Sequence, residues 1–235
     1  IERSMSELFL VRHAQASFGS DNYDQLSPLG FQQSRWLGEH FRERNIHFDR
    51  VITGSLVRQR QTAEGVLEAC DRKIKIEELP GLNEFDFHLL GAEYCRLTNT
   101  PLPLRSDGHR PFFQLLRRAM QAWADSTLFA SELDGSCILT ESWAQFHDRV
   151  AASMAAIRNS DNAERILVIS SGGAIAMALS QVLQCSVEAL INMNMQIKNT
   201  GVSHLYSTQN RLVLSSFNNA PHLERIDRSD ALTYA

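Results

Sequence analysis

Four short stretches of this 235-residue chain carry side chains able to do chemistry. In the first, the apolar run Leu8 to Val11 ends abruptly in Arg12 and His13. Four consecutive apolar residues without a helical period read as a buried strand, with the charged pair at its carboxyl end. Open α/β sheets bind ligands there. Taken alone, the pair is equally satisfied as a polar contact on a sheet rim. The other three stretches are SLVRQRQTA from Ser55, which contains Arg58, LNEF from Leu82, which contains Glu84, and LVISSGG from Leu167. Arg58 falls in the first turn of a predicted helix, where a basic side chain does nothing to complement the positive end of the dipole. A function would explain that misplacement; the plainer alternative is a solvated arginine, the expected state of Arg60. Guanidinium groups match phosphate oxygens in pairs, an imidazole attacks without first losing a proton, and a carboxyl passes protons. Such a set suits an anionic substrate, provided the fold brings it together.

In order and spacing the four stretches resemble the histidine phosphatase superfamily, the phosphoglycerate-mutase-like branch of phosphoryl-transfer enzymes. The matches are Arg12, His13 and Ala14 to the family's Arg-His-small strand end, and Ser55, Arg58, Thr62 and Ala63 to its second arginine motif. Leu82, Asn83 and Glu84 match its acidic motif. LSPLGFQQSRWLG is similar to the family's first helix, ESWAQFHDRV to the helix before its last catalytic strand, and NTGVSHL to the strand after it, so the likeness runs from about Glu7 to about Phe217. It implies an α/β, three-layer fold with a mostly parallel central sheet flanked by helices. A mainly helical and loop insertion over the active site, residues 86–139, would select the substrate. It further implies His13 as nucleophile, Glu84 as acid and base, and Arg12 and Arg58 as catalytic and phosphate-binding groups. Ser171 and Gly172 would join them on the phosphate, and no metal or cofactor is expected. Phosphoryl transfer spreads negative charge over three equatorial oxygens, which the arginines would stabilise.

The chain departs from the family at Ser171, where the pattern is a small residue, histidine and two glycines. Serine offers a hydrogen bond without charge, and the amides of Gly172 and Gly173 at a helix start offer partial compensation. Losing one charge-stabilising donor typically costs roughly 100- to 1000-fold in rate. Ala16, Phe18-Gly19 and the FDFH run after Leu82-Asn83-Glu84 also depart from mutase patterns. Three functions follow from the resemblance. The favoured one is a metal-independent phosphomonoesterase acting through phospho-His13 on a small phosphorylated substrate. The alternatives are a weak or inactive phosphate-binding pseudo-phosphatase and a mutase-like isomerase. His88, four residues after Glu84, is a distant candidate to replace the missing histidine, and the remaining histidines lie in no catalytic motif.

The rest of the chain sets the frame. With 43% hydrophobic and 21% charged residues it can bury a substantial core as one domain, residues 7–235. A net charge of −4 leaves no basic footprint, so nucleic acid is not an expected partner. Cys70, Cys95, Cys137 and Cys185 have neither disulfide nor metal-ligand spacing and fit reduced thiols in a cytoplasmic protein. Residues 1–6 are expected to be a leader foreign to the domain, with Met5 as the natural start. The apolar stretch Ile166 to Leu183 approaches membrane-span length, but Ser170 to Gly173 break it into a strand, a turn and a helix, so no membrane is expected. Oligomeric state is open.

Strands are expected at 7–12, 48–53, 74–79 and 165–170, with two more in VSHLYS and RLVLSSF joined by a turn at Gln209 and Asn210. Ser27 and Pro28 mark a helix start, with Leu29, Trp36, Leu37 and Phe41 on its core face. Ser55 is the expected cap of the helix carrying Arg58. Pro101 and Pro103 mark a loop before an amphipathic helix from Pro111, and helices are expected over 141–158 and 173–183. In the insertion, Arg96, Arg105, Arg110, Arg117 and Arg118 would either attract extra negative charge on a substrate or lie solvated on a helix.

Overall fold

Strand β1 (Ser6–Arg12) is apolar at both parities, and its alternation builds the molecule's layers. Leu8 and Leu10 enter one core and Phe9 and Val11 the other. These observations come from a computed structural model that describes residues 6–17, 24–104, 106, 108–129, 138–158, 164–208 and 211–234. Residues 1–5 of the expected leader, Phe18-Gly19, Arg105, Cys137 and the turn at Gln209 and Asn210 lie outside the described residues, whereas Ser6, expected to end that leader, is the first residue of β1 and pairs with Ser207.

Strands β2 (Arg50–Thr53), β3 (Ile76–Glu78) and β4 (Arg165–Ser170) join β1 in parallel, and β5 (Val202–Ser207) and β6 (Leu212–Asn219) add an antiparallel pair. The order is β3-β2-β4-β1-β5-β6. Helices α1 (Pro28–Glu43) and α2 (Val57–Ala69) cover the Phe9 face, where Leu37, Phe41, Ala63 and Val66 meet Val51 and Leu167. The opposite face carries α3 (Phe87–Thr98), α4 (His109–Ala124), α5 (Trp143–Arg158), α6 (Gly172–Leu183) and α7 (Val187–Gln196). The expected three-layer, mostly parallel α/β fold is therefore the observed one. Strands β1 and β4 are neighbours, but α1 lies on one face and α6 on the other. The sheet thus opens a crevice at their carboxyl ends, beside Arg12 and Ser170.

Local chemistry explains most boundaries. Ser27 caps α1, accepting from the Gly30 amide at 3.0 Å, with Pro28 in the first turn. Leu37 and Phe41 are core, whereas Leu29 and Trp36 pack against a smaller cluster of Ala220, Leu223 and Ala231. Ser55 is not the cap of α2: Leu56 holds that position without a side-chain bond, and Asp24 accepts from the Val57 amide at 2.9 Å instead. Two helices were not expected. Asp86 starts α3 by accepting from the His88 and Leu89 amides, and Ser186 caps α7. Among the described residues of 86–139 there are thus two α-helices and a short helical turn, Thr127–Phe129, with α4 beginning at His109 rather than Pro111. No described helix is long and apolar enough to cross a membrane.

Candidate active site

The crevice gathers the four residues that the sequence singled out. Arg12, His13, Arg58 and Glu84 line one pocket of about 610 Å³, open solvent at its mouth included. His13 follows β1, and its backbone is pinned on both sides. Its amide donates to the Ser170 carbonyl of β4 at 2.8 Å, and its carbonyl accepts from Asn199 Nδ2 at 3.0 Å. The ring is buried. Nδ1 lies 2.8 Å from the Ala14 carbonyl oxygen, which can only accept, and Arg58 Nε donates to Nε2 at 3.1 Å. Both contacts require the same tautomer: the proton is on Nδ1 and the lone pair on Nε2. Burial first, then Arg58 and Arg12, hold the imidazole well below its usual pKa against the pull of the Ala14 carbonyl. His13 is a neutral imidazole.

Arg58 is buried rather than solvated, and Asp24 explains how a cation sits in a first helical turn. Its carboxylate accepts from the Val57 and Arg58 amides and pairs with Arg58 Nη1 at 2.8 Å, so the dipole meets an anion after all. Thr62, in the next turn, accepts from the Ala14 amide and donates to the Arg58 carbonyl, locking α2 to the loop after β1. Arg12 is held from the other side by the carbonyls of Ile197 and Tyr234, both accepting from Nη1 at 2.6 and 2.7 Å. Arg60 is exposed, as expected.

Glu84 arrives on the segment after a short helical turn, Pro80–Leu82, that is tied down from three directions. Arg149 donates to the Gly81 and Asn83 carbonyls and is itself paired with Glu141. Ser170 Oγ donates to the Leu82 carbonyl at 2.7 Å. Asn83 exchanges hydrogen bonds with Ser55, whose role is thus to anchor this segment. The carboxylate accepts from the Gly173 amide at 3.0 Å and the Phe85 amide at 3.3 Å. Burial nevertheless raises its pKa, outweighing the Gly173 amide, the two arginines and the Phe85 amide. A side chain at Gly173 would collide with Glu84 Oε1 and the Phe85 ring, so the close approach needs glycine.

Ser171 and Gly172 stand differently from the other four. Ser171 is fully buried at the start of α6, and its hydroxyl accepts from Gln59 Nε2 at 2.9 Å. Neither residue lines the pocket. Beside Gly172 lies Asn194 of α7, whose Oδ1 is 2.9 Å from where a side chain on Gly172 would begin, and Asn194 does line the pocket. His88 is exposed, its ring 4.3 Å from that of Phe87, and lies outside the pocket lining. Asp24, Gln59, Arg149, Asn194 and Asn199 were not anticipated, since no motif marks a polar residue whose partners are distant in the chain. Among the described residues no cluster of histidine, cysteine and carboxylates has the arrangement to hold a metal ion.

Comparison with known proteins agrees with this fold. The family model described as histidine phosphatase superfamily, branch 1, matches residues 8–93 and 109–220. A protein of Salmonella paratyphi A named probable phosphoglycerate mutase GpmB is 23% identical over 207 residues, covering 86% of this chain and 85% of its own. The crystal structure of phosphoglycerate mutase from Bacillus anthracis superposes with a TM-score of 0.65 at 17% identity, over 94% of this chain and 96% of that one. Alpha-ribazole phosphatase from Shigella flexneri gives 0.62 at 21%, over 91% and 96%.

Proposed function

Because the chain belongs to the histidine phosphatase superfamily, branch 1, we propose that it is a metal-independent phosphomonoesterase acting through a phosphohistidine on His13. The observation that carries this reading is one pocket in which His13 Nε2 holds its lone pair toward Arg58 while burial shifts Glu84 the opposite way, toward holding its proton more tightly than an ordinary carboxyl. That is the protonation a nucleophile and a general acid each need.

The sequence of events follows from the contacts. The phosphate group of the substrate takes over the Nε hydrogen of Arg58, freeing the His13 Nε2 lone pair that Arg58 otherwise engages. Arg12 faces it from the same pocket, its guanidinium held in place by the Ile197 and Tyr234 carbonyls. Nε2 then attacks phosphorus as the ester P–O bond breaks, and Glu84 gives its proton to the departing oxygen. Water next attacks the phosphohistidine, leaving its proton on Glu84; the N–P bond breaks, and His13 returns to neutrality. The Nδ1 hydrogen bond to Ala14 keeps the ring aligned throughout. The positive charge that the transition state needs comes from the two arginines.

A mutase would have to grip a second anionic group on the substrate, and Arg12 and Arg58 are the only lysine or arginine side chains among the described lining residues. Ser171 keeps a second reading in view, a phosphate binder with little turnover, because its hydroxyl is engaged with Gln59. The deciding test is p-nitrophenyl phosphate hydrolysis with chelator present, for the wild type and His13→Ala. Turnover that survives the chelator, vanishes in the variant and accompanies an alkali-stable phosphoenzyme is expected. Turnover in both proteins would overturn the mechanism, and turnover in neither, with phosphate still protecting the fold against heat, would leave the binder.

A further inference from the structure

Above the phosphate-binding floor the pocket changes character. Phe87 from α3, Phe112, Phe113 and Leu116 from α4, and Met195 from α7 form its walls. Phe87 and Phe112 meet edge to face, ring centroids 6.1 Å apart at 76°, and Phe112 and Phe113 likewise at 6.2 Å and 70°. The arginines of the insertion that are described do not enter it. Arg96 pairs with Glu93 and is exposed, and Arg110, Arg117 and Arg118 are exposed on the outside of α4. The amphipathic pattern of α4 therefore turns its aromatic side inward and its cations to water.

We propose that this wall selects monoesters whose alcohol is apolar or aromatic, with the phosphate as the sole anionic group. The inference rests on the phosphatase reading above and specifies its substrate class. The chemistry is one of mismatch as much as match. A carboxylate or second phosphate on the alcohol would lie against phenyl rings, with no further cation among the described lining residues once Arg12 and Arg58 hold the first phosphate, and would lose hydration without gaining a partner. A phenyl or alkyl group instead exchanges water for ring faces and edges. Asn194, whose Nδ2 faces Met120 Sδ at 3.4 Å, is an uncharged polar group among the described lining residues.

The test compares primary alkyl esters, so that the leaving oxygen stays alike: 2-phenylethyl phosphate, glycerol 3-phosphate and 3-phosphoglycerate. A kcat/KM at least about 100-fold higher for the phenylethyl ester, carried mainly by KM, is expected, since pocket discrimination runs from about 10- to about 200-fold per apolar group. Equal values, or preference for 3-phosphoglycerate, would overturn the proposal while leaving the phosphatase reading intact. Phe112→Arg should move the ratio toward 3-phosphoglycerate, a change that simple misfolding, which depresses both substrates alike, does not produce. If no ester is turned over, the phosphatase reading fails separately, and calorimetry still decides the wall: 2-phenylethylphosphonate should bind more tightly than methylphosphonate or phosphonoacetate, and equal affinities would refute it.

Discussion

The two ring nitrogens of His13 face an acceptor and a donor, and that asymmetry leaves the lone pair on Nε2 for the attack proposed above. In the proposed reaction the neighbouring carboxyl sets the pH dependence. His13 must be neutral and Glu84 protonated, so kcat/KM should fall above the raised pKa of Glu84 and again below the lowered pKa of His13. A profile from about pH 4 to about pH 9 should therefore be highest on the acid side. Glu84→Gln should remove the alkaline limb. It should slow alkyl esters by about 10²- to 10⁴-fold, the usual worth of general acid catalysis, and p-nitrophenyl phosphate far less, because that leaving group departs without a proton. A uniform loss on both substrates would argue that Glu84 only shapes the site. Arg12, His13, Arg58 and Glu84 were legible in the sequence because each sits in a contiguous motif whose spacing is local. Asp24, Arg149 and Asn199 were not, because what they bind is set by folding: an amide of α2, two carbonyls near Glu84 and the carbonyl of His13. Whether Glu84's pKa rises or falls was likewise illegible, since burial and two arginines oppose each other and only their geometry decides.

At the scale of elements, the site depends on how each helix begins. The start of α2 borrows its cap from a residue 33 positions earlier, and the same carboxylate aims Arg58. Asp24→Ala should therefore lower stability by about 1 kcal/mol, the usual worth of an N-cap. Misplacing Arg58 should also lower kcat/KM between about 10- and 100-fold, as for other displaced catalytic groups. Thermal melts and kinetics on one preparation check both, and loss of stability without loss of rate would show that Asp24 caps but does not aim. Strand and helix alternation was readable wherever a short continuous apolar run or a capped helix start marked the element, as in β1, β4 and α1. It failed at α3 and α7. Their caps, Asp86 and Ser186, were present in the sequence, but α3 lies next to the Pro101 and Pro103 loop and α7 directly after α6, so neither stood out as a separate apolar face. The cap of α2 was misassigned to Ser55 because a serine near a helix start is the common solution and a distant aspartate leaves no local trace.

Across the whole molecule, the layered sheet was what the family resemblance implied, whereas the packing of its margins was not. His222 belongs to such a margin. It is buried, its Nε2 donates to Thr200 Oγ1 at 2.8 Å, and the amide of Thr200 donates to the carbonyl of Arg12. The Thr200 hydroxyl itself donates to the Asn199 carbonyl, which leaves Nδ1 to carry the lone pair. Burial, then His40, Arg228 and Lys198, lower its pKa to about 3. The unfolded chain binds this proton near pH 6.5 and the folded one only near pH 3. The stability it represents is therefore present above the unfolded value and lost as pH falls through that window. His13 acts in the same direction. Denaturation across that range should show stability falling with acid, and His222→Gln should make the slope shallower by up to one proton. An unchanged slope would mean that other groups set the acid limit.

The pocket draws on both ends of the chain. Arg12 is held by the carbonyl of Tyr234, 222 residues away, and Gln33, whose Oε1 accepts from the Gln15 amide, donates to the carbonyl of Ala231, 198 residues away. Closing so long a loop costs only slightly more entropy than closing one half its length, but it cannot happen until the intervening layers exist. In refolding, then, the helical signal should return before catalytic competence does. A chain still emerging during synthesis would have its sheet assembled while Arg12 waited for its last restraint.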